Sequence, residues 1–463
     1  MNPMTAVEPG DCARTTQTND PEQLRRHRAG RLFSAWGTAA PSKIATLLVQ
    51  AIAVPIVYRS LGPAQFAGYA AVTAVVSIFN FLNLGMGGAL VTPLAQAVAD
   101  EDREREAGLL RSALFPLVAL TFTGLLIALP VLLLLSPRAL FGLAATATSG
   151  PAIRVASVLA CIGTLAAIPL SVFESVRQAY QELHINNLLN GLSNGILCLG
   201  LLLASWIEPT LPAFVAVTVL GPLAARILNA LLLFRKRSYL FNVSQSFSWL
   251  QTRRLVRDGL SYVGAVGIGN LLIYQWPVYY MARTRAPLES SSFAVLVQLI
   301  IFILAFGTSF ALPLWGAIAD AVARGDYRWI KTVVRRARLA SLVYGFCGLL
   351  ALGFSTNAIL TLWLHRPFHT GGALCWLAGF YVFAAMWENI HWPLALGLGA
   401  MRPASSAVFW RAIAFAVSVP LVISYGAPGL MVALSVSVIA LTAWYYPVLL
   451  GRVLVRQRMI KEI

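Results

Sequence analysis

Charged residues are scarce in this chain of 463 residues. Asp, Glu, Lys and Arg make up 11% of it, whereas an ordinary soluble domain carries about 25%. Hydrophobic residues make up 58%. A chain this apolar cannot cover its surface with side chains that suit water, so the composition excludes a soluble globular protein and indicates a membrane protein.

Cysteine is also rare, and no metal-ligand spacing or nucleophile–base pair stands out. None of the five cysteines forms a C-x-x-C pair, and four of them lie in apolar segments. We therefore interpret them as small buried hydrophobes and predict no metal, no cofactor and no enzyme activity. The five are Cys12, Cys161, Cys198, Cys347 and Cys375.

Long apolar runs are abundant. A helix needs about 20 mainly apolar residues to cross a bilayer, and the sequence predicts twelve such helices and no membrane strands. The predicted spans are 40–59, 66–91, 110–135, 153–173, 186–207, 211–234, 258–281, 292–315, 339–363, 372–396, 405–425 and 428–450.

The positive charges predict the orientation. With the N- and C-termini in the cytoplasm, six of the 35 lysines and arginines fall in outer loops, and most of the others face inward, as the positive-inside rule expects. The net charge of +17 therefore reflects topology, and we predict no nucleic-acid partner. The outer residues are Arg59, Arg138, Arg154, Arg283, Arg285 and Arg366.

A short repeat predicts two halves. The segment 93–100 reads PLAQAVAD, and 313–320 reads PLWGAIAD, which is identical at five of eight positions. Each copy ends an even-numbered span, so we predict two parallel six-helix halves related by an axis along the membrane normal. The predicted divisions are a disordered cytoplasmic tail (1–38), a first bundle (39–235), a basic linker (236–257), a second bundle (258–452) and a basic tail (453–463).

A basic helical face follows the second copy of the repeat. Its residues recur at spacings of three and four, which predicts an amphipathic helix on the anionic cytoplasmic leaflet. Anionic lipids are thus a predicted partner. The residues are Arg324, Arg328, Lys331, Arg335 and Arg338.

Three motifs resemble one transporter family. The stretch 58–69 reads YRSLGPAQFAGY, 313–330 reads PLWGAIADAVARGDYRWI, and Leu398-Gly399 precedes Arg402. In this order they resemble the polysaccharide exporters, the Wzx-type flippases of the multidrug/oligosaccharidyl-lipid/polysaccharide (MOP) superfamily, whose fold the MATE drug antiporters share. The resemblance covers residues 40 to 450.

The resemblance implies a function and a location. It implies a flippase in the bacterial cytoplasmic (inner) membrane that moves undecaprenyl-diphosphate-linked oligosaccharide by alternating access, for O-antigen, capsule or exopolysaccharide synthesis. Polysaccharide polymerase and assembly proteins would be its protein partners. The family has no fixed catalytic motif, so candidate site residues come from chemistry alone.

Polar side chains inside spans are the candidate substrate site. Arg226 offers a guanidinium that suits a diphosphate, and the alternative is a helix-packing ion pair or snorkelling to the interface. Four amides suit sugar hydroxyls or hold helices together. These are Asn83, Asn270, Gln275 and Gln298.

Two titratable residues share one face of span 10. Glu388 and His391 are three residues apart and predict either a proton-coupling site or a pair that holds helices together. We expect Arg411 to snorkel from the cytoplasmic end of span 11.

Other readings stay open. A MATE-type drug/cation antiporter shares the fold but would be expected to keep more carboxylates in its cavity. A membrane-embedded polymerase or ligase would need a larger outer loop than the sequence has. The charged loops fit a major-facilitator transporter poorly, because the segment after Asp100 lacks that family's Gly. A structural membrane scaffold would not explain the repeat or the charges within spans.

Overall fold

The computed structural model describes the backbone of residues 21–146, 148–180, 182–242 and 247–462, and side chains between 48 and 455 with short gaps. The described chain is almost entirely helical. Its α-helices are α1 (Pro21–Phe79), α2 (Met86–Ala99), α3 (Arg103–Leu134), α4 (Pro137–Phe141), α5 (Gly150–Leu170), α6 (Val172–Ala179), α7 (Leu183–Ile207), α8 (Leu211–Lys236), α9 (Tyr239–Asn242), α10 (Trp249–Asn270), α11 (Trp276–Thr284), α12 (Pro287–Arg324), α13 (Tyr327–Leu364), α14 (Gly372–Gly397), α15 (Met401–Val422), α16 (Gly426–Val438) and α17 (Tyr445–Glu462).

Nine helical stretches in the described part are long and apolar enough to cross a membrane. Two of them each overlap two predicted spans. Ala51–Phe79 kinks at Gly62 (φ 74°), and Met401–Val455 is interrupted at Gly426 (φ 66°). Glycine suits both positions because side chains rarely adopt these positive φ values. The predicted span 258–281 is not among the nine.

Predicted span 2 is not one continuous helix. A 3₁₀ turn occupies Asn80–Asn83, and Leu84 and Gly85 then adopt left-handed conformations (φ 49° and 66°) before α2 begins. The carbonyl of Leu84 packs against Gly259 of α10, where a Cβ would lie 2.4 Å from its oxygen. Irregular backbone inside a membrane is tolerated where protein covers it, as α10 does here.

Three predicted boundaries differ from the structure. Helix α1 begins at Pro21, within the stretch predicted as a tail. The predicted linker 236–257 contains α9 and the start of α10. The predicted amphipathic helix is divided, because α12 ends at Arg324, Gly325 (φ 75°) follows, and the basic residues from Arg328 onward form the first turns of α13. Its place on the leaflet stays a prediction.

The helices pack in two groups that follow chain order. In the first (α1–α9), α5 packs against α3 and α8, α2 against α6, and α7 against α8. In the second (α10–α17), α14 lies at the centre and packs against α12, α13 and α16. Helix α1 also contacts α11 and α12, so it joins the groups. The predicted symmetry between the halves stays a prediction.

Five connections lie at the same end of the molecule, which we call the basic end. They join α2 to α3, α6 to α7, α8 to α10, α12 to α13 and α14 to α15. At the opposite, far end, side chains of the second group donate to backbone carbonyls of the first. The Arg366 guanidinium donates to Arg59 O (2.7 Å), and the Tyr279 hydroxyl donates to Leu140 O (2.7 Å). These bonds hold the two groups together at the far end.

A buried carboxylate ties three connections together at the basic end. Glu182, between α6 and α7, is 7% exposed and pairs with Arg177 of α6 (2.9 Å), Lys236 of α8 (2.8 Å) and Arg237 after α8 (3.0 Å). We call these four residues the Glu182 cluster. Burial on its own raises the pKa of Glu182, but hydrogen bonds and charge from Arg237 and Lys236 outweigh burial and lower the pKa to about 2.

We expect Glu182→Gln to lower the apparent melting temperature of the detergent-solubilised protein, because removing one partner from buried ion pairs costs about 3 kcal/mol. The pKa falls from 4.5 to about 2 on folding. The stabilisation is therefore complete above 4.5 and lost only as the pH falls toward 2. The difference between wild type and variant should stay constant from pH 7.5 to 5.5. A difference that shrinks over this range would contradict the assignment.

Candidate functional site

The second group encloses a cavity of about 430 Å³ between α10, α12, α14 and α15. We call it the second-group cavity. Apolar side chains such as Ile273, Leu304 and Val408 form much of its wall. Its polar lining is Asn270, Tyr274, Thr308, Glu388, Asn389, Trp392 and Arg411.

Two charged residues on consecutive helices meet in this cavity. Glu388 precedes the end of α14 at Gly397, and Arg411 follows the start of α15 at Met401. At 1.5 Å per residue, each lies about 15 Å from the loop that joins the two helices. This depth corresponds to about half of a 30 Å hydrocarbon core, which is where transporters of this general kind bind substrate.

The two side chains form a buried ion pair. Arg411 Nη1 lies 2.9 Å from Glu388 Oε2, and the two residues are 4% and 5% exposed. Either charge alone would be costly in these surroundings, so each stabilises the ionised form of the other. Our expectation that Arg411 snorkels to the membrane surface is wrong, because α15 begins earlier than predicted and places Arg411 deeper.

The cavity contains hydrogen-bond donors without acceptors. Three buried nitrogen atoms in its described lining have no hydrogen-bond partner: Arg411 Nε, Arg411 Nη1 and Trp392 Nε1. Arg411 Nη1 is close enough to Glu388 for an ion pair, but the geometry is not that of a hydrogen bond. All three atoms are donors. Buried polar groups in native proteins are nearly always paired, so this arrangement suits a ligand that brings acceptors or negative charge.

His391 does not join Glu388 in the cavity. It is fully buried, accepts a hydrogen bond at Nε2 from Arg338 Nε (3.0 Å) and has Nδ1 2.6 Å from Trp387 O. The bond from Arg338 links α13 to α14, and the contact with Trp387 O lies within α14. The two residues predicted as one proton-coupling site therefore have separate partners, and their role in ion coupling stays a prediction.

A second cavity of about 270 Å³ lies between the two groups. Gln275 and Gln298 line it from the second group, opposite Tyr69, Thr73 and Ser77 of α1. Tyr274 lines both cavities, so they are neighbours. We call this one the inter-group cavity, and two of the four amides predicted for sugar contacts face it.

The other two amides lie apart. Asn270, at the end of α10, lines the second-group cavity. Asn83 ends the 3₁₀ turn that interrupts span 2, and its Oδ1 is buried without a partner. The structure thus places three of the four predicted amides in the two cavities.

Arg226 lies in a different place from these residues. Its Nε donates to Glu174 Oε1 (2.9 Å), and its side chain is 31% exposed. It lines a pocket of about 90 Å³ between α6, α7 and α8 in the first group. The geometry matches the ion pair that the sequence left as the alternative to diphosphate binding.

We expect single truncations of the buried pair to destabilise the protein more than its joint removal. Glu388→Gln or Arg411→Gln leaves one buried charge unpaired, which typically costs about 3–5 kcal/mol. The double variant, with Glu388→Gln and Arg411→Met, leaves no buried charge of this pair. The melting temperature of the double variant should exceed that of Glu388→Gln. If the loss of stability in the double variant equals the sum of the losses in the two single variants, the two charges do not depend on each other.

Comparison with known proteins gives a fold. No protein-family model matches the sequence, and no curated protein matches it. An inward-facing conformation of a multidrug resistance MATE family transporter of the MOP superfamily matches with a TM-score of 0.69 at 13% identity, over 88% of this chain and 95% of that one.

Two further solved structures agree. A point mutant of the MATE transporter VcmN of Vibrio cholerae matches with a TM-score of 0.61 at 14% identity, over 93% of this chain and 97% of that one. A MOP superfamily transporter from Pyrococcus furiosus matches with a TM-score of 0.59 at 13% identity, over 90% of this chain and 95% of that one. Its binding pocket is described as having reverse polarity that suggests a different function. The chain is thus an all-α integral membrane protein with the fold of the MATE transporters of the MOP superfamily.

Proposed function

We propose that the protein is a flippase that moves undecaprenyl-diphosphate-linked oligosaccharide across the bacterial cytoplasmic membrane by alternating access. The transporter fold and the motif resemblance support this proposal together. The second-group cavity would receive one anionic group of the substrate, and the inter-group cavity would receive sugar hydroxyls at Gln275 and Gln298.

The set of unpartnered donors in the second-group cavity carries the proposal. Arg411 and Trp392 line the cavity and have buried N–H groups without a partner, and an anion with several oxygens is the ligand best suited to satisfy them. A diphosphate has such oxygens. An organic cation has none and would meet the positive charge of Arg411 as it entered.

The main alternative is a drug/cation antiporter on the same fold. A cation site needs a carboxylate that is free to hold the cation. Among the described residues that line the three cavities, the acidic ones are Glu388 and Glu174, and each already pairs with an arginine. The Pyrococcus furiosus neighbour also indicates that pocket polarity differs among proteins of this fold.

Alternating access requires contacts that form and break between the groups. The far-end bonds of Arg366 and Tyr279 meet this requirement, because each uses a side-chain donor and a backbone carbonyl across the boundary. Opening the far end would exchange these bonds for bonds to water at small net cost. Closure at the far end is therefore reversible on energetic grounds.

We expect purified protein in liposomes to equilibrate a lipid-linked oligosaccharide between leaflets, as measured with a membrane-impermeant lectin. Arg411→Gln should lower the initial rate at least tenfold. Arg226→Gln is the matched comparison, because it removes a paired arginine from another pocket, and its rate should stay within about threefold. The thermal stability of each variant must be measured alongside, because both changes break an ion pair.

Two results would redirect the proposal. If Arg226→Gln lowered the transport rate and Arg411→Gln did not, the anion site would lie in the first group, as the sequence predicted. If no lipid-linked sugar moved while a proton gradient drove uptake of an organic cation, the protein would be a drug antiporter.

A further inference from the structure

Arg411 lines the second-group cavity and pairs with an internal anion. Arg411 Nη1 lies 2.9 Å from Glu388, and its buried Nε has no hydrogen-bond partner. In the empty cavity, the positive charge of Arg411 is balanced by Glu388. An anion that enters at Arg411 would add a second negative charge beside the same cation.

The groups around Glu388 offer no second cation among the described residues. Besides Arg411 on α15, the titratable side chains that interact with the pair are phenols, which are neutral. They come from the π-helical turn before α11, from α14 and from α17, and a hydroxyl comes from the turn after α16. They are Tyr274, Tyr381, Tyr446 and Thr442. The imidazole of His391, one turn further along α14, is bonded to Arg338 and Trp387 instead.

Two anions cannot both remain ionised beside one buried cation. Like charges that share a site disfavour the charged form of one of them, and burial strengthens the effect because water does not screen it. A substrate phosphate with several ionised oxygens stays charged. Glu388 is therefore the group that takes up a proton.

We propose that substrate anion binding at Arg411 is linked to protonation of Glu388. The inference rests on the proposed function, because it concerns the same cavity. A proton from the water on the loading side binds to a carboxylate oxygen of Glu388, and Arg411 changes its partner from Glu388 to the ligand. On release of the ligand the proton leaves and the internal ion pair forms again.

This exchange has a consequence for transport. The loaded cavity carries one negative charge less than it would if Glu388 stayed ionised. Moving a charge through the low-dielectric core is costly, so protonation eases the passage of the anionic headgroup. Glu388 is then a coupling residue rather than a direct contact of the substrate, and Arg411 is the contact.

The test measures protons taken up as the anion binds. The full chain in lipid nanodiscs is titrated with farnesyl diphosphate, a soluble isoprenoid diphosphate, by calorimetry in two buffers of different ionisation enthalpy. The expected difference in proton uptake between wild type and Glu388→Gln is close to one per ligand bound. Subtraction removes those protonation changes of the diphosphate that do not depend on Glu388. Glu174→Gln is the matched control, because it removes an arginine-paired carboxylate from another pocket, and it should keep the wild-type proton number.

Affinity gives an independent signature. Glu388→Gln removes the competing anion, so it should bind the diphosphate more tightly than wild type at pH 8. Between the pH at which Glu388 ionises without ligand and the higher pH at which it ionises in the complex, the ratio of wild-type to variant affinity should fall by up to tenfold for each unit of rising pH. A purely structural role for Glu388 predicts the opposite, namely weaker binding by the variant.

The outcomes separate the two proposals. Equal proton numbers in wild type and Glu388→Gln, with binding intact, would overturn the linkage and leave the flippase standing. Absence of binding by wild type would remove both. If Glu388→Gln does not fold, difference infrared spectroscopy on wild type replaces it, since a carboxylic acid band must appear when the diphosphate is added and its absence would overturn the linkage.

Discussion

A buried ion pair between consecutive helices is the constraint on which the second group depends. Glu388 and Arg411 lie at similar depths from the short loop that connects α14 and α15. Neither charge is tolerable alone in an apolar setting, so the register of α15 on α14 is fixed by their contact. Because α14 also packs against α12, α13 and α16, an error in that register would disturb most of the second group. The same pair holds Arg411 in the wall of the cavity.

Much of the fold could be predicted from apolar runs, and its interruptions could not. Hydropathy identifies a span because about 20 consecutive apolar residues bury favourably in lipid. It does not respond to backbone conformation, so the left-handed residues Leu84 and Gly85 inside predicted span 2 were invisible. The π-helical turn Leu271–Gln275 was missed for the same reason, although it places Tyr274 between the two cavities. For Leu84 and Gly85 the close contact is with Gly259 of α10, which no local pattern contains.

The candidate site was half visible in the sequence. Glu388 was identified because a carboxylate within a span is unusual, but Arg411 was assigned to the membrane surface from an inaccurate helix start. A usable signal existed: opposite charges stand at similar distances on either side of one short loop, which puts them at one depth. No such signal connects His391 with Arg338 or Arg226 with Glu174. Each pair lies about fifty residues apart, at unequal distances from the loop between α13 and α14 in the first case and on helices that are not consecutive in the second. Sequence showed which residues were unusual, and packing decided their partners.

The two helix groups use buried charge in different ways, and the difference argues for where function lies. In the first group, Glu182 has three cationic partners, and Glu106 accepts hydrogen bonds from the hydroxyls of Tyr180 and Tyr239. A carboxylate with this many donors is held in one state, which suits a rigid connection. In the second group, Glu388 has one cationic partner, and that partner has N–H groups to spare. An interaction that leaves donors unused can be exchanged when a better acceptor arrives. The under-satisfied pair is therefore the part of the molecule that a substrate is best able to change.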